Sequence, residues 1–313
     1  MNCYTEAMGR IAKVSGRSLF GASRWAMLRS RSRWRGIGMV MHAWLVIGAA
    51  AALAIAFPYP AVVVAAAVVI GSRQLGLAIL MHEAAHGLLY DAHRWNDRLG
   101  AWACAWPLGI SLTEYRQYHL RHHTYAQQEE DPDLVLSSKF PVSGQSLVRK
   151  LLRDLTGLTF LRQRLLPMLH SLVFDRQMSQ ADGAMLLFNT ALIGLGILSN
   201  LLWAYFLLWL VPFMTWYMAV LRVRNIAEHA CVSTENNPWR VARTTHAGWI
   251  ARALVAPYFV NYHAEHHLFM SAPCYRLPAI HAALQERGRL EQEHTPIASG
   301  YLQVLRQASG SNA

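Results

Sequence analysis

Residues 81–87 read MHEAAHG, and the placing of His82 and His86 within that stretch decides how the rest of the chain is read. Side chains four apart on a helix lie one above the other, so the two imidazoles share a face, with Glu83 beside them. Further along come HLRHH at 119–123, NIAEHA at 225–230 and HAEHH at 263–267. These add His119, His122, His123, His229, His263, His266 and His267. With 15 histidines in 313 residues, random placement would give roughly 0.03 matches to H-x-x-H-H. The chain has two.

The composition sets the surroundings of these groups. Hydrophobic residues make up 54% of the chain and charged residues 15%, too apolar for an ordinary soluble domain. One membrane-embedded unit is expected. The 11 Trp and 12 Tyr suit long boundaries against lipid head groups. The net charge of +11 is assigned to an anionic membrane surface rather than to nucleic acid, because of the apolar runs. Basic residues are nearly all Arg, which together with the Ala-rich runs fits a bacterial GC-rich genome. Cys3, Cys104, Cys231 and Cys274 are scattered, so neither a disulfide framework nor a thiolate metal site is suggested.

Apolar stretches at 39–57, 61–81, 184–198 and 201–221 predict four membrane spans in two hairpins, turning at PYP and SN. The second contains Arg73 and Gln74, which must face protein or snorkel. Residues 99–112 are too short to cross and are expected to lie at the interface or to re-enter. The aromatics of 201–217 suit either a lipid-facing helix or a tunnel lining, with the former favoured. Lys and Arg number eight in 1–38, eleven in 91–183 and nine in 222–313, while both hairpin turns carry none. By the positive-inside rule the two termini, the central loop and every histidine group lie on the cytoplasmic side. Residues 1–38 are read as a basic cytoplasmic arm, and 39–313 as a single domain.

The histidine groups can therefore converge. On a helix, positions i, i+3 and i+4 share a face, so each H-x-x-H-H is expected to aim three rings at one place. A zinc metalloprotease using H-E-x-x-H would need one further ligand and an open position. It would leave six clustered histidines unused. Nine imidazoles near a bilayer suit two ions at four or five ligands each, and imidazole alone does not name the metal.

The order H-x-x-x-H, H-x-x-H-H, H-x-x-H-H, with an extra histidine before the last, resembles the membrane fatty acid desaturase and hydroxylase superfamily. The flanks YRQYHLRHHTYAQQEEDPDL and NYHAEHHLFMSAPCYRLPAIH resemble it as well, and the likeness covers roughly residues 70–285. It implies an all-α integral membrane protein in which a cytosolic helical cap holds a non-haem di-iron centre. A tunnel would thread a hydrocarbon chain past two Fe ions. The implied ligands are His82, His86, His119, His122, His123, His229, His263, His266 and His267, with Asn225 reaching an iron through water.

Imidazoles leave the metal charge uncompensated, so carboxylates should orient their free N–H groups. Glu228 and Glu265 are the first choices, followed by Glu83 and Asp91, with Asp131 and Asp133 more remote. The implied activity is O₂-dependent desaturation of a long acyl chain, with hydroxylation of a lipid, sphingolipid or carotenoid as the alternative; a specialised-metabolite substrate also stays open. The chain has no H-P-G-G haem motif and no Gly-rich nucleotide fingerprint, so electrons are expected from a ferredoxin or a cytochrome b5-like protein with its reductase. The location implied is the bacterial inner membrane. His42, His93, His170, His246, His281 and His294 are read as interface or surface residues.

Overall fold

A computed structural model describes residues 9–175 and 178–310 of the chain. The first eight residues of the basic arm, with Cys3, lie outside the described residues. The structure is mostly helical, with one short parallel strand pair, Thr244–Thr245 against Ile297–Ala298.

Among the described residues four helices are long and apolar enough to cross a membrane: Ala22–Ala56, Pro60–Ala85, Gln180–Leu198 and Leu202–His229. Regular helix lapses in the first between Leu28 and Arg33. Each exceeds its expected span, because polar residues continue the helix beyond the apolar stretch. The extension matters most in the second and fourth, whose last turns carry His82 and His229.

Helix geometry loosens where proline intervenes. The wide-turned segments Ala101–Ala105, Leu161–Leu165 and Phe206–Leu210 precede Pro107, Pro167 and Pro212. Proline supplies no N–H to the preceding turn, and a π-type bulge absorbs the mismatch.

The polar pair inside the second helix faces protein. Arg73 is bonded to the Ala253 carbonyl, and Gln74 Nε2 donates to the Trp209 carbonyl at 2.9 Å. The second and fourth helices approach closely at Gly71, where an added Cβ would stand 2.9 Å from Trp216 Cδ1. Trp216 Nε1 donates to Ser72 Oγ at 2.9 Å. The aromatics of 201–217 divide: Trp209, Phe213 and Tyr217 are buried, while Phe206 is exposed.

The expected break at residue 38 falls inside the helix Arg33–Ala56. The helices before it, Gly16–Phe20 and Ala22–Leu28, pack against the C-terminal third. Trp25 and Phe269 stand 5.1 Å apart between ring centres, Arg24 pairs with Glu286 at 2.7 Å, and the Ser32 N–H donates to Tyr275 Oη at 2.7 Å. Phe20 and Leu28 join Leu277, Ile280 and Leu284 in one apolar cluster.

Candidate metal centre

The helix bearing His82 is stopped one residue after it has presented His86. Gly87, at φ 71°, adopts the left-handed conformation that favours glycine. Its N–H reaches the Ala84 carbonyl at 3.0 Å and that of Leu88 reaches Glu83 at 2.9 Å, a Schellman closure. Arg116 then binds the exposed carbonyls of Ala84 and Ala85 at 3.0 and 2.9 Å. The second box rides on Leu112–Tyr125, begun by an N-cap in which Ser111 Oγ accepts from the Glu114 N–H. The third occupies the short helix His263–Leu268, whose first turn is tied down by Thr244.

These elements bring all nine box histidines together, in two groups. His82, His86, His119, His123 and His266 form one, and His122, His229, His263 and His267 the other. Within each group the candidate ligand nitrogens lie within 4.8 Å of one another. The expectation that each H-x-x-H-H serves a single place is corrected. His119 and His123 enter the group of five, and His122 enters the other. The third box divides in the opposite sense, with His263 and His267 in the group of four and His266 in the group of five. Consecutive helical residues are rotated by about 100°. The i, i+4 pair therefore looks one way and the i+3 residue another.

The nitrogen geometry calls for cations. His122, His229, His263 and His267 place their Nε2 atoms in a closed ring, with successive separations of 3.1, 2.9, 3.1 and 3.3 Å. His122 Nδ1 lies 2.8 Å from the Asp131 carboxylate, and His229 Nδ1 lies 3.0 Å from the Val241 carbonyl. Both partners only accept, so in the neutral rings Nδ1 carries the hydrogen and Nε2 is a bare lone pair. Two lone pairs then face each other at 3.1 Å. A positive ion between them removes the repulsion. Ligands at right angles on an ion with bonds of about 2.1 Å stand about 3.0 Å apart. In the group of five, His123 Nε2 is 2.9 Å from His119 Nε2 and 3.0 Å from His266 Nε2, while buried His82 Nε2 has no hydrogen-bond partner. The donor set fits two metal ions, and an imidazole set accepts iron, zinc, copper or nickel.

Burial and neighbouring imidazoles hold His119, His123, His263, His266 and His267 well below the ordinary histidine range, and burial with nearby Arg116 takes His86 to about 3. Neutral rings are the form that ligates.

The carboxylates are distributed otherwise than expected. Asp131, ranked as remote, is the one carboxylate among the described residues that is hydrogen-bonded to a box histidine; it also accepts the N–H groups of Gln127 and Asp133, each at 2.8 Å. Asp133 stands 3.7 Å from His122 Nδ1. Glu228 lies 3.5 Å from His263 Nδ1 and is bonded to Arg224 at 2.6 Å. Glu265, a first choice, binds Thr244 at 2.5 Å and His281 at 2.7 Å instead. His281 is thus a buried structural partner, not a surface residue. Asp91 pairs with Arg33 at 3.3 Å.

Glu83 accepts from the Cys274 N–H at 2.9 Å, and its other oxygen is 3.8 Å from His82 Nδ1, the ring edge opposite the candidate ligand atom. It is not poised to activate a metal-bound water, which argues against the protease reading. Asn225 is partly buried and lines a cavity of about 30 Å³ with Tyr115, His122, Glu228, His229 and His263. That volume admits a water.

A model of the fatty acid desaturase family matches residues 57–299, which hold all four histidine groups. The chain belongs to the fatty acid desaturase family. Dihydrorhizobitoxine desaturase of Bradyrhizobium elkanii is 28% identical over 229 residues, covering 68% of this chain. The chain spans 64% of that relative's length. Family membership and the four apolar helices together point to an integral membrane protein.

Proposed function

We propose that this desaturase-family protein is an O₂-dependent di-iron enzyme that introduces a C=C bond into a long acyl chain. The carrying observation is the gathering of nine buried or partly buried imidazoles into groups of five and four. Two iron ions there would supply the oxidant needed to take hydrogen from an unactivated methylene. The chain's own residues hold and tune that site. The nine box histidines are the proposed ligands. Asp131 fixes the tautomer of His122, and Val241 does the same for His229. Asn225, which lines the small cavity beside the group of four, would hold a water there. Glu228, beside His263 and neutralised by Arg224, is a weaker orienting group.

The same reading puts the four helices in two hairpins and makes 39–313 the catalytic unit, with the histidine-bearing cap and both termini in the cytoplasm of a bacterial cell. Contact of the basic N-terminal helices with the C-terminal third supports a common side for both. Electrons would come from a separate ferredoxin or cytochrome b5-like carrier. The relative's name as a desaturase favours a double bond over hydroxylation, and its named substrate, dihydrorhizobitoxine, keeps small specialised metabolites as the second substrate reading.

The test is purification with metal analysis, joined to mass spectrometry of lipids and small metabolites from cells expressing the gene. Two irons per chain and a product lighter by two hydrogens are expected. One zinc per chain, or a product heavier by one oxygen, would overturn the assignment.

A further inference from the structure

Arg73 sits near the middle of Pro60–Ala85 and is 6% exposed. Among the described residues no carboxylate pairs with it. Its guanidinium reaches the Ala253 carbonyl and stands 5.7 Å from the centre of the Tyr258 ring. A buried cation in an apolar helix is costly without a counter-charge. It borders a groove of about 510 Å³, whose lining includes His42, Arg252 and Tyr258 at the polar end and Met39, Val46 and Val69 along the rest. No acidic residue lines it.

The backbone is strained to build this groove. Tyr258 and Phe259 have φ of 54° and 63°, rare for residues with a side chain. The turn lays Tyr258 against Gly76, where an added Cβ would come within 2.8 Å of the ring, and its hydroxyl is 3.1 Å from His42 Nδ1. The adjoining helix Trp249–Leu254, which carries Arg252, exposes Trp249 and Ile250 to 80% and 54%. An exposed Trp–Ile pair beside an Arg belongs at the boundary of head groups and acyl chains.

We propose that this groove binds an anionic membrane phospholipid, its phosphate held by Arg73 and Arg252 and one acyl chain laid along Met39, Val46 and Val69. The charge selects an anionic head group, and the apolar limb selects a lipid over a free ion. The site uses none of the box histidines and stands apart from the proposed oxidation chemistry.

The full-length protein, reconstituted in phosphatidylcholine bilayers, would be probed with spin-labelled phosphatidylglycerol and spin-labelled phosphatidylcholine. Preferential immobilisation of phosphatidylglycerol is expected. Arg252→Gln, on an exposed position, should reduce that preference roughly fivefold, since a surface arginine contributes about a factor of five toward an anionic lipid. Arg252→Lys should retain most of it, and Val69→Trp, by filling the apolar limb, should weaken it. Equal immobilisation of the two lipids by the unaltered protein would overturn the proposal, as would an unchanged preference in Arg252→Gln. Displacement of the labelled lipid by inorganic phosphate alone would equally reject a lipid site.

Discussion

His122 Nδ1 and the Asp131 carboxylate meet at 2.8 Å with both side chains removed from solvent. The pairing leaves His122 Nε2 free to face His229 and His267. Asp131→Asn keeps the shape and removes the charge. Loss of an outer partner of this kind weakens metal affinity by roughly 10–100-fold. Metal analysis after dialysis should therefore find the group of four depleted and the group of five retained. Full content of both ions would break the link between Asp131 and the metal.

Two histidines separate ligation from packing. His266→Ala should abolish product formation and lower bound metal while leaving membrane insertion intact. His281→Ala should keep the metal, because His281 belongs to neither group, and should instead lower thermal stability. It strands one buried oxygen of Glu265, at a cost of about 1–3 kcal/mol. Unfolding curves in detergent, read beside metal content, distinguish the two. Loss of metal in His281→Ala would contradict the division.

Acid should loosen the end of the helix that carries HEAAH. Burial pushes the Asp97 carboxyl up, but hydrogen bonds from Arg116 and Asn96 outweigh it and hold the group below the usual aspartate range. A carboxylate depressed by folding stabilises the fold above its unfolded pKa, and that contribution is lost as pH falls through the folded value. Asp97→Asn should thus lower the melting temperature at neutral pH, and the gap from the unaltered protein should close below pH about 4. A gap that persists in acid would mean the pair with Arg116 is not its source.

Gly36 permits the closest approach of the first long helix to the loop that follows His86. An added Cβ there would stand 1.8 Å from the Leu89 carbonyl oxygen. Gly36→Ala must push the two apart. A loss of about 1–3 kcal/mol is expected, the usual range for overpacking. Thermal unfolding would register it, and an unchanged midpoint would show that the loop yields freely.

The residue types of the site and the four apolar helices were legible because they depend on local spacing and on runs of hydrophobic side chains. The division of each H-x-x-H-H was not. Spacing says which rings share a helix, but the group each ring joins depends on what stands opposite, and that is tertiary. Asp131 was underrated for a similar reason. Nine residues beyond His122 in the chain, it is returned to that ring by the turn through Gln127, at φ 63°, which no hydrophobic periodicity announces. Glu265 carried the opposite error: it was a first choice, and the fold turns its carboxylate toward Thr244 and His281 instead. The ending of the HEAAH helix did have a written signal, the glycine directly after His86.

Each of the two histidine groups draws on residues from both sides of the third and fourth long helices, from His82 and His122 at one extreme to His266 and His267 at the other. Neither is complete in a nascent chain that ends before residue 266. A ribosome stalled in the fourth helix would therefore leave a bilayer-lodged product that holds four of the five imidazoles of one group but, of the other, His122 alone.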